Sequence, residues 1–186
     1  MKLLIMGPPG VGKGTQAQII QNELNIAHLS TGEILRKEIA DETKIGLIAK
    51  KYIDKGQLVP DKVLLNIISD RIIMPDCNNG YLLDGFPRTI EQATGLENIM
   101  IALYHTLDMA ISLTADEEEL VSRLIKRGID SGRSDDTHEV IRKRQKIYWG
   151  QTAPLLDFYN NKGLLKNIDG VGTINEITKR ILKVLK

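Results

Sequence analysis

Short apolar runs that stop at glycine alternate along this chain with longer stretches in which apolar residues recur every three or four positions. "KLLIM" (2–6) ends at Gly7, as a strand buried on both faces would. The pattern then predicts a helix from about Lys13 to Leu24, a second short strand "AHLS", and a helix opening at Ser30, which stands three residues before Glu33 as in a capping box. "TKIGLIAKKYIDKG" reads as a helix stopping at Gly56, and Pro60 opens the next, through about Met74. "YLLDG" and "LDMAISLT" are the third and fourth strands. "ADEEELVSRLIKRG" follows as a helix, with acids in its first turn and bases in its last, as the helix dipole favours. The polar "GIDSGRSDD" is expected to be a loop, with Asp136 and Glu139 capping a long helix to about Tyr159. "LLKNID" is a fifth strand, and "TINEITKRILKVLK" is an amphipathic helix. Repeated strand–helix alternation of this kind implies an α/β architecture, an open parallel sheet with helices on both faces.

Bulk properties narrow the function classes without choosing one. A length of 186 residues suits one domain with a sizeable core. A formal net charge of +1 provides no global field for nucleic acid or a membrane surface, so anion binding must come from local clusters. The first ten residues are too soon interrupted by glycine and proline for a secretory signal, and no stretch approaches a membrane span. With Cys77 as its one cysteine the chain forms no internal disulfide and no multi-cysteine zinc site, and a cytoplasmic location is expected.

The first chemistry-bearing motif lies directly behind the first strand. "GPPGVGKGTQ" places Gly7, Gly12 and Lys13 in the spacing G-x-x-x-x-G-K, between a predicted strand and a predicted helix. Glycines let successive backbone N–H groups turn inward as an anion nest, the helix start adds its partial positive charge, and the lysine adds a mobile cation. The hydroxyl residue usual after that lysine is Gly14 here, with Thr15 one place later. Magnesium would then rest on waters and on the nucleotide's own oxygens.

Taken together, "GPPGVGKGTQ", "STGEILR", "DGFPRTIEQ", "RLIKRG", "SGRSDD" and "IRKRQKIY" resemble the adenylate kinase family, in the family's order and over almost the whole chain. The resemblance implies a P-loop kinase fold with a parallel five-stranded sheet, and reversible phosphoryl transfer from Mg-ATP to AMP giving two ADP. It divides the single domain (1–186) into a core, a nucleoside-monophosphate-binding segment at about 30–59 and a lid at about 126–136. Long-lid relatives insert a small extra domain between "KRG" and "SGR", some with four zinc-binding cysteines. This chain passes from Gly128 to Ser131 with almost nothing between, so the resemblance is to the short-lid form without zinc. The partners implied are ATP, AMP and ADP, with neither nucleic acid nor membrane, and a monomer.

The same resemblance assigns residues. Gly10, Val11, Gly12, Lys13, Gly14 and Thr15, with Arg127 and the backbone at Gly172, fall to ATP. Thr31, Arg36, Gln57, Leu58, Val59, Gly85, Phe86, Pro87, Arg88, Gln92, Arg133 and Arg144 fall to AMP. Lys13, Arg88, Arg123, Arg127, Arg133 and Arg144 form the catalytic set, and Asp84 is expected to reach the magnesium through water. Phe86–Pro87 matches a family position with a cis peptide bond. Arginine suits such a site because its planar fork donates two parallel hydrogen bonds to a phosphate. A phosphate oxygen is a ready-made nucleophile, so no general base is called for.

Thr31 and Gln92 point to adenine, because uridylate and cytidylate kinases tend to carry alanine and asparagine there. A glutamine amide can accept from one purine-edge group and donate to its neighbour. A kinase for UMP or CMP, or a nucleotide-binding regulator without turnover, stay open as alternatives. Arg71, Arg142 and Arg180 read as surface charges, Asp135 and Asp136 as hinge and cap residues of the lid, with pairing of one of them to an arginine of the closed lid as the alternative, and Cys77, His28, His105, His138 and Trp149 as structural.

Overall fold

The computed structural model describes residues 1–131, 133 and 135–185; Gly132 and Ser134 of the expected lid, and Lys186 of the expected last helix, lie outside them. Five strands, β1 (Lys2–Met6), β2 (Ala27–Ser30), β3 (Tyr81–Asp84), β4 (Met109–Thr114) and β5 (Leu165–Asp169), form one parallel sheet in the order β2-β3-β1-β4-β5. Period-two alternation divides the apolar residues of each central strand between two cores. Leu4, Met6, Leu29 and Leu83 face one core with Ile68, Leu96 and Tyr159. Leu3, Ile5, Leu82 and Ile111 face the other with Ile20 and Ile181. Both faces are therefore covered, as a parallel sheet requires.

The helices are α1 (Lys13–Leu24), α2 (Thr31–Ala40), α3 (Lys44–Ile53), α4 (Asp61–Ile72), α5 (Ile90–Ala102), α6 (Glu117–Ser131), α7 (His138–Ile147), α8 (Pro154–Asn161) and α9 (Ile174–Leu185). Side-chain caps start several of them. Ser30 accepts from Glu33 N, Thr43 from Gly46 N and Thr89 from Gln92 N, each cap stabilising by about 1 kcal/mol. Ile177, Ile181 and Leu185 recur one turn apart on α9 and pack it against the second core, beside α1.

The observed elements depart from the sequence pattern in four places. Helix α6 does not stop at Gly128 but continues to Ser131. That glycine serves a close approach, since a Cβ there would lie 2.9 Å from the Asp136 carbonyl oxygen. The residue preceding α7 is Thr137, not Asp136, whose carboxylate is taken by arginines. The expected long helix to Tyr159 is α7 and α8 joined by a π-helical turn, Tyr148–Thr152. Helix α5 goes unannounced by the pattern, because the positions it buries include the polar Gln92 beside Ala93, Leu96 and Met100.

Candidate active site

In an open parallel sheet, ligands sit outside the carboxyl ends of the strands, where the strand order reverses. Here that point is β1, flanked by β3 and β4. The register aligns Ile5 with Asp84 and Ser30 with Asp84, so the loop after β1, the start of α2 and the loop after β3 leave the sheet together.

The loop after β1 is built from backbone. Gly10 has φ 92°, and a Cβ on it would lie 2.7 Å from the Leu120 carbonyl oxygen, so no other residue fits without displacement. Gly12 precedes α1 with φ 95°. Lys13 opens α1, and its Nζ turns back to donate to the carbonyls of Gly7 at 2.7 Å and Pro8 at 2.9 Å. Burial lowers the pKa of this ammonium to about 7; the Asp84 carboxylate opposes the shift, and the charges of Arg88, Arg144 and Arg127 add to it.

Two adjoining clefts open above these strand ends. The first is largely apolar, with Leu35, Ile53, Leu58, Val59, Leu64 and Tyr148 among its lining residues, and Thr31, Gln57, Gly85 and Pro87 at its polar side. The second is bordered by Gly10 and Gly12–Thr15 and carries seven cations, Lys13, Arg36, Arg88, Arg123, Arg127, Arg133 and Arg144, against the two carboxylates Glu33 and Asp84. That excess suits a polyanion. Lys13, Arg36, Arg88 and Arg144 line both clefts and so mark where they meet. Among the described residues neither cleft is lined by histidine or cysteine.

The arginines are held by specific partners. Arg88 donates from Nε to the Gly85 carbonyl at 2.8 Å; its N–H donates to Gln92 Oε1 at 2.7 Å, and its carbonyl accepts from Thr152 Oγ1 at 2.9 Å. Arg127 makes a two-pronged pair with Asp136, both contacts at 2.7 Å, and Arg144 donates to the same carboxylate at 2.6 Å while pairing with Asp135 at 2.9 Å. Arg123 pairs with Glu119 one turn earlier on α6. Burial is the leading cause that lowers the pKa of Arg36, Arg88 and Arg144. Arg133 adds to it at Arg36 and Arg144 adds to it at Arg88, whereas Asp135 and Asp136 oppose it at Arg144.

Asp84 ends β3 with a carboxylate that burial alone would raise. His28, whose Nε2 lies 3.4 Å away, and the charges of Lys13 and Arg88 draw its pKa below the ordinary value, so it is ionised at neutral pH. It faces the phosphate loop: a Cβ on Gly14 would sit 3.8 Å from Asp84 Oδ2. Among the described residues no three His, Cys, Asp or Glu side chains gather as a metal cage. One carboxylate beside a phosphate loop is nonetheless the donor set magnesium favours when it is carried by phosphates.

Of the residues singled out from sequence, Val11, Phe86, Gln92 and Gly172 line neither cleft. Val11 and Phe86 are core residues, and the Phe86–Pro87 bond is cis. Gln92 is fully buried: beyond the Arg88 N–H it accepts, its Nε2 donates to Asp61 Oδ1 at 2.6 Å. Gly172 lies near α9, where a Cβ would meet the Glu176 carboxylate at 2.8 Å. Asp135 and Asp136 are buried and pair with arginines, Asp135 with Arg144 and Asp136 with Arg127 and Arg144; the alternative raised for one of them holds for both, and the cap role does not. His28, expected to be structural, faces Asp84. In the first cleft Tyr148 is marked only by closing the block "IRKRQKIY" and Thr152 carries no mark in the sequence, since the π-helical turn that bears them leaves no trace in apolar spacing.

A sequence model of the family described as "Adenylate kinase" matches residues 5–164. The chain is similar to a protein named "Adenylate kinase" from Leptospira biflexa, 51% identical over 182 residues covering 98% of both chains. A protein of the same name from Bifidobacterium longum is 47% identical over 186 residues, the full length of each. A third, from Clostridium perfringens, is 41% identical over 212 aligned positions, covering 100% of this chain and 98% of its own, and so has insertions that this chain lacks.

Proposed function

The chain belongs to the adenylate kinase family, and on that premise we propose that it transfers the terminal phosphoryl group of Mg-ATP to AMP, reversibly, giving two ADP. The observation that carries this reading is the shared border of the two clefts, where Lys13, Arg36, Arg88 and Arg144 line both. A nucleoside fits the apolar cleft, a polyphosphate fits the cationic one, and the groups between them face both phosphates at once.

The acceptor is a phosphate oxygen that loses its second proton near pH ~6, so at neutral pH the nucleophile needs no protein base. The obstacle is repulsion between two polyanions. Catalysis here is positioning and charge neutralisation. In this reading Gly10, Val11, Gly12, Lys13, Gly14 and Thr15 cradle the donor phosphates, joined by Arg127, and the backbone at Gly172 meets the donor base. Thr31, Arg36, residues 57–59, residues 85–88, Gln92, Arg133 and Arg144 hold AMP, and Arg123 meets the phosphoryl group in transfer. Asp84 would orient magnesium through water, the ion supplying charge neutralisation on the donor phosphates. The segments at 30–59 and 126–136 close over the substrates and exclude water. The enzyme works as a cytoplasmic monomer.

A coupled assay offering AMP, UMP and CMP in turn with Mg-ATP tests the acceptor. AMP is expected to be strongly preferred. Turnover of the pyrimidine monophosphates with little of AMP would instead assign the chain to the other nucleotides.

A further inference from the structure

Arg88 is fixed by more than its own loop. Its side chain is tied to the Gly85 carbonyl, its N–H to Gln92, and its carbonyl accepts 2.9 Å from Thr152 Oγ1, a residue 64 positions further along. Thr152 ends the π-helical turn Tyr148–Thr152, which interrupts the helical path from α7 to α8. Such a turn holds one residue more than an α-helical turn and re-aims the chain beyond it, and π-turns of this kind recur at functional sites. Here both ends of the turn face the apolar cleft: Tyr148 and Thr152 line it together with Arg88. Thr152 is buried, so its hydroxyl is committed to this contact and shielded from exchange with water.

Resting on the reading of Arg88 as a grip on the acceptor phosphate, we infer that Thr152 is a positioning residue for the acceptor side of the site. The π-helical turn aims its hydroxyl at the Arg88 carbonyl. With Gln92 on the N–H, that fixes the backbone on both sides of the Cα from which the guanidinium reaches the join of the two clefts. The turn also comes directly after α7, which carries Arg144, so the two arginines are referred to one another through α7 and the turn. A misplacement on the ångström scale at a transfer site is costly in rate.

Steady-state kinetics on T152V, T152S and R88A test this. T152V keeps the shape and removes the hydroxyl. It is expected to raise the KM for AMP and lower kcat, together reducing kcat/KM for AMP by about 3- to 10-fold, the worth of one buried hydrogen bond, with the KM for ATP unchanged. T152S, which keeps the donor, is expected to bring kcat/KM back to within about twofold of the parent. In an R88A background T152V is expected to add nothing. A role confined to folding would lower the melting temperature and leave the AMP-to-ATP split unmoved, and that result overturns the inference. If T152V does not fold, T152A is judged on the same split. If R88A itself leaves AMP kinetics intact, the reading of Arg88 fails; if R88A is impaired and T152V is not, the positioning role alone fails.

Discussion

Lys13 is a cation enclosed by cations, and that has a measurable consequence in protons. Burial and the neighbouring Arg88, Arg144 and Arg127 lower its pKa from 10.5 to about 7 in the nucleotide-free protein. A displacement of that size corresponds to about 5 kcal/mol between the two protonation states. A triphosphate on the loop reverses the balance and restores the charged ammonium. At pH 8 about nine-tenths of Lys13 is neutral beforehand, so binding should take up close to one proton. The nucleotide's own terminal phosphate is already ionised at that pH and contributes little. Titration calorimetry of a non-hydrolysable triphosphate with magnesium, in buffers of different ionisation enthalpy, reads the uptake as a slope. K13Q should abolish it. The same pair of values sets the sign for stability: between pH 7 and 10.5 the unfolded chain holds the proton and the folded one does not, so the parent gains stability relative to K13Q as pH rises. A slope near zero in the parent, or the same slope in K13Q, would refute the reasoning.

Asp136 should matter mainly to the fold. D136N removes a buried carboxylate that faces Arg127 and Arg144, and is expected to cost about 3 kcal/mol in chemical denaturation. Burial raises the Asp136 pKa, but its bonds to Arg127 and the nearby arginine charges bring it below 3.8, so its contribution is present above the ordinary carboxylate pKa and is lost as pH falls through the lower folded value. At the phosphate loop, G10A meets both a left-handed backbone and the Leu120 carbonyl; it is expected to weaken Mg-ATP binding at least tenfold by calorimetry, and binding at parental strength would show that the loop's shape is not what holds the phosphates.

The sheet and the phosphate loop were legible because each rests on local rules. Apolar runs bounded by glycine became β1 and β3, and a lysine behind a glycine-rich turn became the start of α1. Ser30 caps α2 as its spacing with Glu33 announces. Where tertiary contacts decide, the pattern is silent or misleads. Gly128 looks like a helix stop because nothing local reveals that the Asp136 backbone presses on it. Asp136 looks like a cap because its arginine partners come from α6 and α7. The arginines at the join of the clefts come from α2, the loop after β3 and α7, so only resemblance to a family could gather them in advance. Thr152 lay beyond that resemblance too, since its partner is a backbone carbonyl and places no demand on residue type at Arg88.

On the proposed reading, the four cationic side chains common to both clefts make one reservoir of positive potential serve two visitors. Whichever nucleotide arrives first dissipates part of the field that drew it in, and the second meets a weaker pull. The entry of the first should therefore be the more salt-sensitive step, while the second relies more on the fit of its base and sugar.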